Sequence, residues 1–328
     1  MSLFLALFAL SGIFLETVRG TLEMMQFENF IAQFNKTYAS KEEFHRRFAI
    51  FQKNLEEAKR LQREERGTAQ YGITKFSDLT DEEFLRCRPD HRAYFESQTL
   101  LRQVTEENAP VKTCDWRKKG VISVPKNQGP SCLSCYAFAA VGNIEAQWGI
   151  WGSPKNLSVQ QLVDCSKCGC QGGYTWNAFM TVIKIGGLTN EKNYKYTGKK
   201  STCKTNLKPE ATIQDFVILQ RNETVICSHV SYKGTVTVAI NQTLLKQYQK
   251  GVIDPHPEKC DNNVDHAVLI VGFSREKKYW ILKNSWGNDW GENGFFRLRL
   301  GSNACGIAEY PASAIVNTGT FKRHICPP

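Results

Sequence analysis

The chain has 328 residues and a formal net charge of +10, with 41% hydrophobic and 23% charged residues. This balance excludes a disordered or fibrous chain and leaves room for two domains plus processing segments. No run of five or six like charges occurs, and the lysines between Lys192 and Lys204 are spread among Tyr, Gly, Ser and Thr, so the excess charge reads as a solvated loop and not as a nucleic-acid surface.

Residues 2–15, SLFLALFALSGIFL, form an apolar run directly after Met1, with small residues near Gly20. The run is too short for a membrane span and predicts a signal peptide over residues 1–20. Entry into an oxidising lumen makes the twelve cysteines candidates for disulfides before reduced thiols or zinc thiolates. Glycosylation sequons at Asn35, Asn156, Asn222 and Asn241 fit the same compartment.

Residues 21–66 are rich in Glu, Lys, Arg and Phe, and EEFHRRFAIFQKNLEEAKRLQ within them reads as one long charged amphipathic helix, with Phe44, Phe48, Phe51, Leu55 and Leu61 at helical spacing. YGITKFSDLTDEEF follows as a short extended piece ending in the acidic helix start Asp81-Glu82-Glu83. Residues 96–112 lack periodicity and contain Pro110, which places a linker there. Beyond it, CYAFAAVGNIEAQWGIW carries Phe138, Val141, Ile144, Glu145 and Trp148 at helical spacing and is stopped by Gly149, Gly152 and Pro154. LSVQQLVDC and NAFMTVIKIGG read as two further helices.

From about residue 213 the pattern changes to short β-rich runs, IQDFVIL, TVTVAI, DHAVLIVGF, KYWILKNSW and GFFRLRL, separated by Gly, Asn and Asp turns. A helical half (about 119–215) followed by a β half (about 216–328) is an α+β arrangement, and a cleft is expected where the halves meet.

In NQGPSCLSCYAF, Cys132 and Cys135 stand three apart at a predicted helix start. The spacing is open to a redox pair, half of a zinc site, or a nucleophile beside a structural thiol. A redox pair calls for a small βαβ unit, whereas helices follow Cys135. A zinc site would use Cys132, Cys135, Cys165 and Cys168, with a wider gap between the pairs than the usual 15 to 20 or so residues. A catalytic thiol needs its anion stabilised and a base to take the proton. Cys135 at the helix tip supplies the first condition, His266 in NVDHAVLIVGF is the candidate base, and Asn284 on the next predicted strand is a neutral group able to orient that imidazole.

The cluster Gln128-Gly129, Cys132, Ser134-Cys135, Ala137-Phe138, with Asp265-His266-Ala267 and Asn284-Ser285-Trp286-Gly287 in that order, resembles the active-site blocks of the papain-like cysteine peptidases. His266 and Asn284 follow Cys135 at about the 130 to 150 residues expected of that arrangement. Glu43, Arg47, Phe51, Asn54, Ala58 and Gln62 likewise resemble the ERFNAQ pattern of a prosegment helix in one branch of the family. Gly72, Phe76 and Asp78 match three of the four positions of its GNFD partner, and Thr74 replaces the Asn.

The resemblance implies a papain-like two-domain fold, a helical left domain and a β-barrel-like right domain, preceded by a helical inhibitory propeptide over residues 21–109, with the peptidase domain at 110–328. It implies Cys135 as nucleophile, His266 as base and then acid, Asn284 as orienter and Gln128 as an oxyanion donor. Trp286 would cover the His–Asn hydrogen bond. Gly172 and Gly173 would pair with an extended substrate backbone. Val264, Tyr174, Ala267 and Tyr310, with Asp265 beside them, would line a second specificity pocket for a bulky apolar residue. The implied disulfides are Cys132–Cys170, Cys165–Cys203 and Cys260–Cys305. Cys87, Cys114, Cys168, Cys227 and Cys326 remain, with Cys114–Cys326 as a candidate fourth bridge. No cofactor or metal is expected. The expected partners are polypeptide substrates and the chain's own propeptide, with no nucleic acid and no membrane span, in a monomer of the secretory-pathway lumen, in endoplasmic reticulum or lysosome or secreted. His45, His91, His229, His256 and His324 read as surface or structural residues.

Three departures from the family pattern lie in the nucleophile block. One residue, Pro130 or Ser131, is extra between Gln128 and Cys135, Leu133 replaces a Gly, and Tyr136 replaces a Trp. Displacement of a catalytic group by around 1 Å can cost about 100-fold in rate. The expectation is a restricted or weak peptidase, and the rival is a peptide-binding scaffold that hardly cleaves.

Overall fold

The computed structural model describes residues 20–84, 110–316 and 324–328. The apolar run at 2–15, most of the linker, Cys87 and His91 lie outside the described residues.

The N-terminal unit is a helical pair, residues 20–33 and Lys41–Glu64, followed by the two-residue strand β1 (Gln70–Tyr71) and the short helix Asp81–Phe84. Ser40 caps the long helix by accepting the Glu43 N–H at 3.2 Å, as a side-chain oxygen does for an orphan donor of a first turn. Phe27, Phe30 and Phe51 are buried together with Leu55, a small aromatic core that the helical spacing of the phenylalanines makes possible. The polar members of the prosegment pattern tie this unit together. Arg47 pairs with Glu43 and Glu83, both at 2.7 Å. Asn54 donates to the carbonyls of Ser77 and Leu79 at 2.8 and 2.9 Å, and Gln62 donates to the Ala69 carbonyl at 3.1 Å and accepts the Tyr71 N–H at 3.0 Å.

The remaining residues build a helical lobe on a sheet lobe. The helical lobe contains the central helix Cys135–Ile150 and the shorter Val159–Cys165 and Thr175–Lys184. Every residue of the central helix except Trp148 is buried, the polar Asn143, Glu145 and Gln147 included, so it sits inside the molecule. The sheet lobe contains β2 (Thr113–Asp115), β3 (Asp215–Ile218), β4 (Val236–Ile240), β5 (Tyr248–Lys250), β6 (Val252–Ile253), β7 (His266–Ser274), β8 (Tyr279–Lys283), β9 (Phe295–Arg299) and β10 (Ala312–Ile315). Its eight-stranded sheet runs β3-β10-β4-β7-β8-β9-β6, with β2 also pairing β7. The sheet is open and not a closed barrel. A helix that the β-rich reading of this half passed over, Glu223–Tyr232, is capped by Asn222, whose side chain accepts the Thr224 and Val225 N–H groups.

Two features dock the lobes. The central helix presses on β7: a Cβ on Gly142 would stand 3.3 Å from Leu269 Cδ2. Buried amides on the same helix then reach the sheet, Asn143 donating to the Thr235 carbonyl at 2.8 Å and accepting the Ala314 N–H at 2.8 Å, and Gln147 donating to Ser313 at 2.9 Å. Among the described residues four disulfides, Cys114–Cys326, Cys132–Cys170, Cys165–Cys203 and Cys260–Cys305, close the framework.

Candidate active site

Cys135 is the first residue of the central helix, His266 the first of β7, and Asn284 follows the last residue of β8. β7 and β8 are paired antiparallel, with Leu269 opposite Lys283, which sets Asn284 beside the N-terminal end of β7. The packing of β7 along the central helix sets His266 beside Cys135. All three are buried, at 4%, 1% and 3% exposure, and Cys135 is in none of the disulfides.

His266 Nε2 and Asn284 Oδ1 are 2.8 Å apart. The same Oδ1 accepts the Ser285 N–H at 2.8 Å, so Nε2 carries the ring proton on that side and Nδ1 is the nitrogen left for the thiol. Burial opposes a charged imidazole here, but the hydrogen bond and charge of Cys135, the Asn284 hydrogen bond and the Asp265 carboxylate outweigh it, and the His266 pKa is raised above the ordinary histidine value. The Trp286 ring stacks on the imidazole at 4.8 Å and 27°.

Asp265 shares this environment. Burial pushes its carboxyl up to about 6, against the Gln242 backbone N–H, which it accepts at 2.9 Å, and the His266 charge.

Gln128 is buried, and its side chain is held at both ends. Its Oε1 accepts the Ser285 hydroxyl at 2.6 Å and its Nε2 lies 3.4 Å from the Cys132 carbonyl. The Gln128 backbone N–H donates to the Ser285 carbonyl at 2.8 Å. The extra residue after it loops outward: Gly129 has φ +70° with open space beside it, and Pro130 and Ser131 are exposed while Gln128 and Cys132 stay buried. A left-handed glycine lets the chain bulge without moving its anchored ends. Leu133 donates its N–H to the Cys170 carbonyl at 3.1 Å. Tyr136 reaches Ser166 at 2.8 Å and the Gly169 carbonyl at 2.9 Å through its hydroxyl, so a polar partner meets the phenol where an indole is usual.

A pocket beside Cys135 is lined by Gly172, Gly173, Tyr174, Asp265, Ala267 and Tyr310. Gly173 admits no side chain, since a Cβ there would lie 2.6 Å from Cys168 Sγ. Val264 is not among the lining residues and packs against Gly306 instead. Trp176 joins the pocket unexpectedly, stacked on Tyr174 at 4.0 Å, with Tyr310 5.2 Å from Tyr174. These rings leave about 10 Å³ free, room for about one water.

Sequence reasoning also passed over Tyr196, whose hydroxyl contacts the Gln128 carbonyl at 2.8 Å and Ser134 Oγ at 2.7 Å, and Ser285 as the partner of Gln128. Neither carries a local signal, because each acts through a contact far away in the chain. Cys132 and Cys165 stand in disulfides, which removes two ligands of the zinc arrangement and one thiol of the redox pair.

The prosegment reaches this region. Phe76 and Phe84 meet the Trp286 ring at 5.2 and 5.3 Å, and Lys75 Nζ contacts the Trp286 carbonyl and pairs with Asp289 at 2.7 Å.

Residues 110–315 match the papain family cysteine protease model and residues 27–84 the cathepsin propeptide inhibitor domain (I29) model. The chain is 44% identical to cathepsin W of Mus musculus, covering 92% of this chain and 90% of that one, and 41% identical to cathepsin F of Mus musculus, covering 89% and 64%. Among solved structures, digestive procathepsin L2 proteinase of Tenebrio molitor superposes with a TM-score of 0.82 at 31% identity over 90% of this chain and 100% of that one, and a recombinant stem bromelain precursor with 0.80 at 30% over 90% and 99%. The chain belongs to the papain family of cysteine peptidases and carries that family's propeptide inhibitor domain ahead of its peptidase domain.

Proposed function

We propose that the chain, freed of residues 21–109 by cleavage in the linker, is an endopeptidase that cleaves polypeptides through Cys135, His266 and Asn284 in the lumen of the secretory pathway. The observation that carries this reading is the 2.8 Å contact between His266 and Asn284 beside a thiol at a helix tip. The Cys135 thiolate attacks the scissile carbonyl carbon, and the carbonyl oxygen takes the negative charge between the Gln128 side-chain N–H and the Cys135 backbone N–H. The imidazolium gives its proton to the leaving amine nitrogen, leaving an acyl-thioester. His266 then takes a proton from water as it attacks that ester, and returning the proton to sulfur releases the acid and the thiol. Asn284 holds the ring in the required orientation throughout.

A second reading, a peptide-binding scaffold with little turnover, is favoured by one observation: Gln128 Nε2 turns to the Cys132 carbonyl, a partner that competes with an oxyanion. Titration of the purified mature chain with an epoxide thiol inhibitor, beside Cys135→Ala, separates the two. One equivalent of label on Cys135 with matching loss of activity supports the peptidase. Absence of labelling in the intact protein supports the scaffold.

A further inference from the structure

The prosegment is seated on the sheet lobe by main-chain pairing. β1 pairs antiparallel with β5, Tyr71 opposite Tyr248 and Gln70 opposite Lys250. The Gly72 N–H donates to the Gln247 carbonyl at 2.9 Å, and the Thr68 and Ala69 N–H groups donate to the Val252 carbonyl at 2.9 and 3.0 Å. A Cβ on Gly251 would lie 2.0 Å from the Thr68 carbonyl oxygen, so the ledge is shaped for a backbone lying directly on it. Two side-chain readers flank the strand. The buried Lys246 ammonium donates to Asn54 Oδ1 at 2.9 Å and Asp81 Oδ1 at 3.0 Å, while Trp286 receives Phe76 and Phe84.

Removal of the prosegment strips all of these groups of their partners at once: the Gln247 and Val252 carbonyls, the Lys246 ammonium and the Trp286 face. An uncovered strand edge is a template for another extended chain. The edge is also continuous with the catalytic centre, because the indole that forms its aromatic socket lies on His266. We propose that in the mature protein this ledge is a second polypeptide-binding site, taking an extended segment of a protein substrate that adds a strand to β5, places an aromatic side chain on Trp286 and an acidic or amide side chain on Lys246. The proposal rests on the peptidase reading for the fate of the bound segment, but not for its binding. It makes the protein a better enzyme for long unfolded chains than for short peptides.

The full chain is folded as the zymogen with Cys135→Ala, cut within residues 85–109 by an added protease and freed of its prosegment. A fluorescent peptide of residues 66–84 is bound to it, and reduced, carboxymethylated casein is titrated in as the unfolded competitor. Displacement by casein is expected, with both affinities at least 10-fold weaker in Lys246→Met and in Lys250→Pro, which removes the N–H of an exposed edge residue. Failure of casein to displace the peptide, or unchanged affinities in both variants, overturns the proposal. So does a dimer on gel filtration that excludes the peptide, since a second copy would then fill the ledge. In the chain with Cys135 intact, Lys246→Met is expected to lower kcat/KM for casein at least 5-fold while leaving a blocked dipeptide amide unchanged; an equal fall on both substrates overturns it. Cleavage of neither substrate, with binding as expected, counts against the peptidase reading alone.

Discussion

Trp286 joins His266 to the prosegment: its ring stacks on His266 with centroids 4.8 Å apart and meets the rings of Phe76 and Phe84 at 5.2 and 5.3 Å. In the proposed mechanism the indole would cover the His266–Asn284 hydrogen bond, and excluding water there would strengthen that bond by lowering the local dielectric. Trp286→Ala is therefore expected to lower kcat of the mature chain about 10-fold or more. It is also expected to weaken inhibition by added prosegment, measured as a rise in its inhibition constant. A variant that leaves both quantities unchanged would remove Trp286 from the mechanism.

Gln128 and Ser285 form the next test. Truncation of one oxyanion donor typically costs about 100-fold in kcat, so Gln128→Ala should show about that loss with little change in KM. The Ser285 hydroxyl donates to Gln128 Oε1 at 2.6 Å, and its proposed part is to hold that amide. Ser285→Ala should cost less, about 10-fold, and should add almost nothing to Gln128→Ala in the double variant. Additive losses would show that Ser285 works through another group.

The acid–base pair sets the pH dependence. The His266 pKa is raised in the fold, so the imidazolium persists above the usual pH for histidine, and its stabilising contribution is complete below the unfolded value and lost as pH rises through the folded one. The alkaline limb of kcat/KM should lie above about pH 6.5. Asp265 also has a raised pKa, about 6. It is neutral in the fold at acidities where the unfolded chain is already ionised, so its effect on stability worsens as pH climbs from the ordinary aspartate range to about 6. Asp265→Asn should remove that loss and move the alkaline limb downward, because the carboxylate supports the His266 charge. Thermal melts and pH–rate profiles of the two proteins check both signs, and an unmoved limb would exclude Asp265 from the pair.

In the zymogen, Asn54→Ala removes the donor for the buried Ser77 carbonyl and the half-buried Leu79 carbonyl, and one acceptor of Lys246. Each unsatisfied buried group costs about 1–3 kcal/mol. The zymogen should melt at lower temperature and show measurable label uptake at Cys135 before cleavage, while the mature chain, which lacks Asn54, behaves as before. A zymogen that stays closed to the label would place the inhibitory contacts elsewhere.

The Cys114–Cys326 bridge ties the start of the peptidase domain to its tail, where the Asp115 N–H also donates to the Pro327 carbonyl at 2.8 Å. Loss of a native disulfide typically costs about 2–5 kcal/mol. Cys114→Ser with Cys326→Ser should lower the unfolding free energy by that order in urea titration without changing labelling at Cys135, and an unchanged midpoint would show the bridge to be dispensable.

Much of this was legible in the residues themselves. The central helix announces itself because its apolar positions recur at helical spacing and Gly152 and Pro154 follow its end, and the strands that begin at His266 and stop just before Asn284 are short apolar runs between turns. The prosegment pattern was legible as a pattern, although the reasons for it were not: Glu43 and Arg47 form an ion pair, Asn54 satisfies two carbonyls and Gln62 closes a loop onto β1. The helix Glu223–Tyr232 was missed because Val225, Ile226, Val230 and neighbouring residues favour strands as readily as buried helices over so short a run. The pocket was read only in part, since Trp176 enters it and Val264 turns away to Gly306.

The amino-acid order by itself determined most of the elements and the chemical cast, a thiol at a helix start, an imidazole at the start of one strand and an amide at the end of the next, because periodicity, caps and turn residues are local properties of the chain. Only the tertiary structure decided that Ser285 grips Gln128, that three aromatic rings crowd the pocket beside Cys135, and that β1 of the prosegment pairs with β5. Each of those depends on side chains or edges brought together across tens to hundreds of residues, and such meetings are set by how the lobes pack on the central helix.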